Sequence, residues 1–250
     1  MFEPRWYRRM MAGERFTSFT TTYLETDLWI GINPSSFHPG IPDFALVKAK
    51  ELRTVLDKYL SVYPEFLTSH VPILPDPSAH LVIQAMINAT IASGTGPMSA
   101  VAGAFAQFVG EAIVAEFNVQ EILVENGGDI YLSIQNDLEV VIFAGTSPLS
   151  NKLAVVIPAT FSPMGLCTSS GTVGHSLSFG KADAAMIGCK DAAHADAYAT
   201  RFGNEVKNSV DIPTAIKLSE SFPEILSILL IVDDQLGVRG KFQIKPVGIE

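Results

Sequence analysis

EILVENGGDIYLSIQ, residues 121–135, decides the fold class, because two β-rich runs flank a pair of glycines. Residues 121–125 and 130–135 carry Ile, Leu, Val and Tyr at the density of short strands, with Asn126-Gly127-Gly128-Asp129 between them. Glycine reaches the positive φ that a tight turn demands, so the stretch predicts a hairpin and antiparallel pairing. Downstream, β-rich runs at 139–144, 153–157, 182–187 and 226–232 predict further strands, and 239–246 is expected to pair back onto the last across residues 233–237. Upstream, residues 16–32 alternate as a hairpin does and stop at Asn33-Pro34-Ser35-Ser36. Three helices are predicted between these hairpins. They are an amphipathic one over 43–63, a buried one over 78–93 capped by Asp76 with Pro77 first, and an Ala/Gly-rich one over 98–117. One α+β domain spanning residues 1–250, with helices packed on a largely antiparallel sheet, accommodates all of them.

The composition suits a sizeable core, with 48% hydrophobic and 17% charged residues in 250. A net charge of −9 opposes non-specific attraction to nucleic acid or to an anionic membrane, so an anionic ligand needs local help such as a metal ion. Cys167 and Cys189 have no metal-ligand spacing and are too few for a disulfide scaffold, which makes a reducing compartment the default. The arginines of residues 1–15 are not followed by an apolar secretion-signal core, and no uncharged apolar run reaches the roughly 20 residues of a membrane span. A cytoplasmic protein is expected, and the apolar content is compatible with a homo-oligomer.

The chemistry is concentrated in three segments. DAAHADAYAT, residues 191–200, puts Asp196 and Thr200 four residues apart in a strong helix former, so both oxygens share one face and can meet a hard cation. Asn126, Gly127, Gly128 and Asp129 offer backbone N–H groups unobstructed by side chains, and Asp129 can hold a ribose hydroxyl. Ser169, Ser170, Gly171 and Thr172 bring hydroxyls to a loop after a strand-like segment, with His175 close enough to act as acid, base or phosphate donor. Each has a plainer alternative: a bare hairpin, a polar loop, an exposed histidine, a polar helix face. The small residues Ala100, Ala102, Gly103, Ala104 and Ala106 read first as helix packing. No Walker loop, Rossmann glycine fingerprint, Ser/His/Asp signature or zinc spacing is present.

Four stretches carry a family resemblance: Gly96-Pro97-Met98-Ser99-Ala100-Val101-Ala102-Gly103, Val124-Glu125-Asn126-Gly127-Gly128-Asp129-Ile130, residues 169–175, and Ala195-Asp196-Ala197-Tyr198-Ala199-Thr200. The chain resembles the ApbE-like proteins, FAD:protein FMN transferases, and within them an ApbE-related branch that it matches over nearly its whole length. The resemblance implies FAD and Mg²⁺ as cofactors. It also implies Asp196 and Thr200 as side-chain ligands of the metal, with the carbonyls of Ala199 and Ala102 as backbone ligands. It implies FMN transfer to a Ser/Thr of a flavoprotein acceptor, or FAD pyrophosphatase activity with water as acceptor. Two departures stand out: the transferases' lysine falls at Gly103, and the Ile-Ile-Asp-Pro-x-Thr-Gly that follows their histidine is replaced here by Ser176-Leu177-Ser178-Phe179-Gly180. A non-catalytic flavin or nucleotide-binding module, or an interaction domain with no ligand, are the alternatives.

Overall fold

The computed structural model describes Arg8, residues 14–171 and residues 180–247. The chain opens with a hairpin, β1 (Thr17–Tyr23) and β2 (Thr26–Ile32), followed by helices α1 (Ile41–Val62), α2 (Glu65–Thr68), α3 (Leu81–Ser93) and α4 (Val101–Phe117). Strands β3 (Ile122–Asn126), β4 (Asp129–Ser133), β5 (Leu138–Val141), β6 (Leu153–Ile157), β7 (Met164–Ser169) and β8 (Ala184–Cys189) come next. Helices α5 (Ala192–Glu205) and α6 (Ile212–Leu218) precede β9 (Ile225–Val232), β10 (Gln235–Gly240) and β11 (Gln243–Pro246). Eight strands form one sheet in the order β1-β2-β3-β4-β7-β8-β9-β10, every neighbour antiparallel, and β11-β6-β5 form a second, smaller sheet. The α+β expectation with a largely antiparallel sheet holds.

The large sheet is covered on both faces, which explains why its strands read as unbroken apolar runs. On one face Ile122, Val124 and Tyr131 meet the helices; on the other Leu123, Ile130 and Leu132 meet the small sheet. A bulge at Gly188/Cys189 opposite β9 shifts the register, so Leu226 faces the small sheet while Ile228 and Leu230 face the helices. Helix α1 buries Ile41, Ala45, Ala49, Leu52 and Leu56, the spacing of one helical face. Helix α4 and the turn before it, Pro97–Phe117, are apolar enough in composition to cross a membrane, yet here Ala104, Phe105, Val109 and Ile113 lie in the helical core.

Two expectations need correction. Helix α3 begins at Leu81, capped by His80, whose ring nitrogen accepts the Val82 N–H at 3.2 Å. Asp76 is instead occupied by the N–H and hydroxyl of Ser78, at 3.0 and 2.6 Å, a local turn that keeps it out of the helix. The expected strand over 239–246 is split. Residues 235–240 pair with β9, then burial of Phe242 in the second core carries the chain over to β6, where Gln243 pairs with Val156.

Candidate functional site

Three elements meet at one end of the large sheet: the β3–β4 turn, the start of α4, and the inner face of α5. Gly127 and Gly128 occupy the turn with φ of +71° and +104°, and Asn126 pairs with Asp129 across it. That two-residue geometry suits glycine at both positions, so the turn is as tight as the sequence implies. Its Gly128 N–H donates to the buried Glu125 carboxylate at 2.8 Å and is therefore turned inward.

Helix α4 starts at Val101 without a side-chain cap of its own. The cap comes from α5: the Gly103 N–H donates to Asp196 Oδ2 at 2.9 Å, and the Ala102 N–H donates to the same carboxylate. The first N–H groups of a helix have no partner within it, so a carboxylate placed there gains both hydrogen bonds and the helix dipole. Gly103 is what lets the helices approach this closely. A Cβ there would lie 2.2 Å from the Ala192 carbonyl oxygen, so no side chain fits where the transferases' lysine falls.

Asn126 joins turn to helix, its amide donating to the Ala102 carbonyl at 3.2 Å. That carbonyl, implied by the resemblance as a metal ligand, already has this partner. Ala199 is buried in the middle of α5, where helix geometry directs its carbonyl to the Gly203 N–H. Thr200 is half-buried one turn beyond Asp196 on the same face. Gly203 continues that face to the end of β7, where its hypothetical Cβ lies 3.2 Å from Ser169 Oγ. Ser169 and Ser170 are half-buried, and the Gly171 N–H donates to the Ala182 carbonyl at 2.9 Å, which holds the loop to β8. Thr172 and His175 lie outside the described residues.

Asp129 is the companion of Asp196. It pairs with Cys167 across β4 and β7, and its carboxyl is enclosed even though the residue keeps some surface at the turn. Burial pushes the Asp129 carboxyl well above the usual range, and the Asp196 charge pushes further, against hydrogen bonds from the Cys167 thiol and the Thr168 N–H. Burial likewise pushes Asp196 up to about 7, although the Gly103 and Ala102 N–H groups favour its ionised form. Two enclosed carboxyls from different elements, both raised by burial, can share a proton or take a cation between them. Among the described residues neither is in an ion pair, and none forms a cluster of three His, Cys, Asp or Glu able to hold a metal alone. A Mg²⁺ fits this donor set, because it commonly uses one or two carboxylates and completes its shell with water and substrate phosphates.

Cys167, Glu125 and Gly103 were not singled out from sequence as site residues. Only Gly103 left a signal, as a small residue at the start of an apolar helix. The Cys167 thiol also contacts the Ala192 carbonyl at 3.5 Å; burial pushes its pKa well up, which keeps it a protonated donor beside Asp129 and not a thiolate.

The family profile described as "AbpE bacteria" matches residues 8–221. The chain belongs to that family. Among relatives of this AbpE-family chain, a UPF0280 protein of Methanococcus aeolicus is 38% identical over 193 residues, 76% of this chain and 77% of its own length. A UPF0280 protein of Methanothrix thermoacetophila is 39% identical over 190 residues, covering 76% and 79%. Among solved structures, the flavin transferase ApbE from Vibrio cholerae superposes with a TM-score of 0.58 at 10% identity, covering 89% of this chain and 96% of that one. The apo flavinyl transferase ApbE of Pseudomonas stutzeri gives 0.56 at 13% identity, covering 90% and 94%. At that identity the likeness concerns the fold, which the AbpE-family chain shares with them.

Proposed function

We propose that this chain is a flavin-transferase-like enzyme that binds FAD together with Mg²⁺ and cleaves the FAD diphosphate. FMN then passes to a Ser/Thr of a flavoprotein or to water. The observation that carries this reading is the pair of enclosed carboxyls, Asp196 capping the start of α4 and Asp129 interacting with it from the glycine turn. The names of the solved structures that share the fold, flavin transferase and flavinyl transferase, support it.

Asp129 and Asp196 would hold Mg²⁺, which would supply positive charge to the FAD diphosphate. Asp196 is oriented by two N–H groups of α4, and Thr200 lies one turn on along the same helix face. The glycine turn lets a planar ring or a phosphate approach the backbone, and Asn126 ties that turn to α4. In the transfer, the acceptor hydroxyl oxygen bonds to the flavin-side phosphorus, the P–O bond to the adenosine phosphate breaks, AMP leaves, and the hydroxyl proton is released. His175 is the proposed proton acceptor. Ser169, Ser170, Gly171 and Thr172 are proposed to line the phosphate end.

A second reading, a flavin-binding module without turnover, is favoured by Gly103, where no lysine fits, and by the occupied Ala102 carbonyl. Purified protein incubated with FAD and Mg²⁺ separates the two. The enzymatic reading expects AMP by chromatography, abolished by EDTA and lowered roughly 100-fold, about 2.7 kcal/mol, in Asp196→Asn. FMN retained on an acceptor protein marks the transferase and free FMN the pyrophosphatase. Mg²⁺-dependent FAD binding without AMP marks the module, and no FAD binding at all overturns both.

A further inference from the structure

Glu125 is the most enclosed charged side chain near the turn, only 1% exposed, yet it is one residue outside the Asn126–Asp129 segment. One of its oxygens accepts the Gly128 N–H at 2.8 Å, and the other accepts Arg8 Nε at 2.6 Å. Arg8, itself 10% exposed, sends its remaining fork donors to β2: Nη1 to the Asp27 carboxylate at 3.0 Å and Nη2 to the Asp27 carbonyl at 2.8 Å. Burial disfavours the guanidinium charge, but the Glu125 and Asp27 partners outweigh that and hold its pKa above the ordinary value. Arg8 thus ties β2 to Glu125 and, through it, to the β3–β4 turn.

We propose that Arg8 is a positioning residue for the flavin-binding turn: it neutralises Glu125, so that this carboxylate can hold the Gly128 N–H without adding a third negative charge beside Asp129 and Asp196. The inference rests on the proposed FAD reading for its functional consequence. A buried carboxylate stripped of its cation is strongly disfavoured and relaxes by drawing in water, taking up a proton or moving. Each outcome loosens its hold on Gly128, and through the two-residue turn it displaces Asp129. Lysine would keep the charge but cannot deliver three donors from a rigid fork, so it replaces arginine only in part.

The test uses Arg8→Gln, Arg8→Lys, Glu125→Gln and the Arg8→Gln/Glu125→Gln double variant of the full chain. FAD affinity is read by flavin fluorescence with Mg²⁺, Gly128 amide exchange by NMR without ligand, and the thermal midpoint serves as the fold control. Loss of a group that orients a metal or ligand site commonly costs 10–100-fold in affinity, so Arg8→Gln is expected to weaken FAD binding about tenfold and to accelerate Gly128 exchange. Arg8→Lys should fall between that and wild type. The double variant, with the Glu125 charge removed along with Arg8 and a glutamine oxygen still able to accept the Gly128 N–H, should recover to within about threefold of wild type. A purely structural arginine predicts losses that add in the double variant; that result overturns the proposal, as does FAD affinity unchanged in Arg8→Gln. If wild type binds no FAD, the FAD reading fails and the clamp is judged on Gly128 exchange alone. Faster exchange in Arg8→Gln with recovery in the double variant keeps the clamp, and unchanged exchange discards it.

Discussion

At the open end of the β3–β4 hairpin, Glu121 accepts Arg15 Nη2 at 2.7 Å and the Gln135 and Asn136 N–H groups at 2.7 and 3.3 Å. Burial opposes its ionisation, but those donors prevail and hold its carboxyl below the ordinary range. At the turn end of the same hairpin, Asp129 is enclosed opposite Asp196 and is driven in the other direction. One hairpin thus carries a carboxylate whose donors outweigh its burial and another whose burial and neighbouring charge outweigh its donors. The first ties the open end of the hairpin together, and the second is the part of it that the proposed function uses.

The strongest way to disturb only the turn end is Gly103→Val, which forces α4 away from the Ala192 carbonyl. It should cost about 3 kcal/mol by denaturant melts, and a neutral result would mean that the helices can slide apart freely. Next comes Glu121→Ala, expected to lose about 2 kcal/mol because Arg15 and two N–H groups are left without their acceptor. Its pH dependence has a defined sign. With the folded value depressed, the stabilisation is present above the unfolded value near 4.5 and is lost as pH falls through the folded one, so Glu121→Gln should flatten the acid limb of an unfolding profile.

Asp129→Asn should do the opposite, raising stability of the chelated protein by about 1 kcal/mol at pH 8 while removing Mg²⁺-dependent FAD binding. Here the folded carboxyls keep protons that the unfolded chain has released, so wild-type stability falls as pH rises above the unfolded value of 3.8, up to about 7 for Asp196. A variant less stable than wild type at pH 8 would show that the pair is already compensated. The smallest effect is expected of Cys167→Ala, less than about twofold on FAD turnover, since a buried neutral thiol is only a weak hydrogen-bond donor to Asp129. A tenfold loss would make the sulfur a participant.

The hairpin, the buried apolar strands and the three long helices were legible in the sequence because glycine pairs and apolar periodicity are local signals. Residues 212–218 were not assigned, since a seven-residue helix with Pro213 near its start offers too few turns for a period to emerge. The sheet change between β10 and β11 was hidden as well, because it depends on where Phe242 is buried, a tertiary fact. At the site, Asp196 and Thr200 were readable from helical spacing and the turn from its glycines. That Asp196 caps a helix and faces Asp129 was not, because both relations join segments far apart in the chain. Glu125 stood in a stretch that carries the resemblance but without a role of its own, and Arg8 carried no pattern; a buried ion pair is recognised only once the partners have met.

The pairing of Gln243 with Val156 and the Val247 N–H with the Lys152 carbonyl, the latter at 2.9 Å, makes the outer three-stranded layer dependent on residues made long after β5 and β6. During translation β5 and β6 can form a ribbon early, but one flank of that ribbon waits open until β11 leaves the ribosome. Until then the apolar side chains of the second core, Val155 and Ile157 among them, have lost one wall of their enclosure. A nascent chain stalled before residue 243 should therefore be the species most inclined to stick to its neighbours or to engage a chaperone.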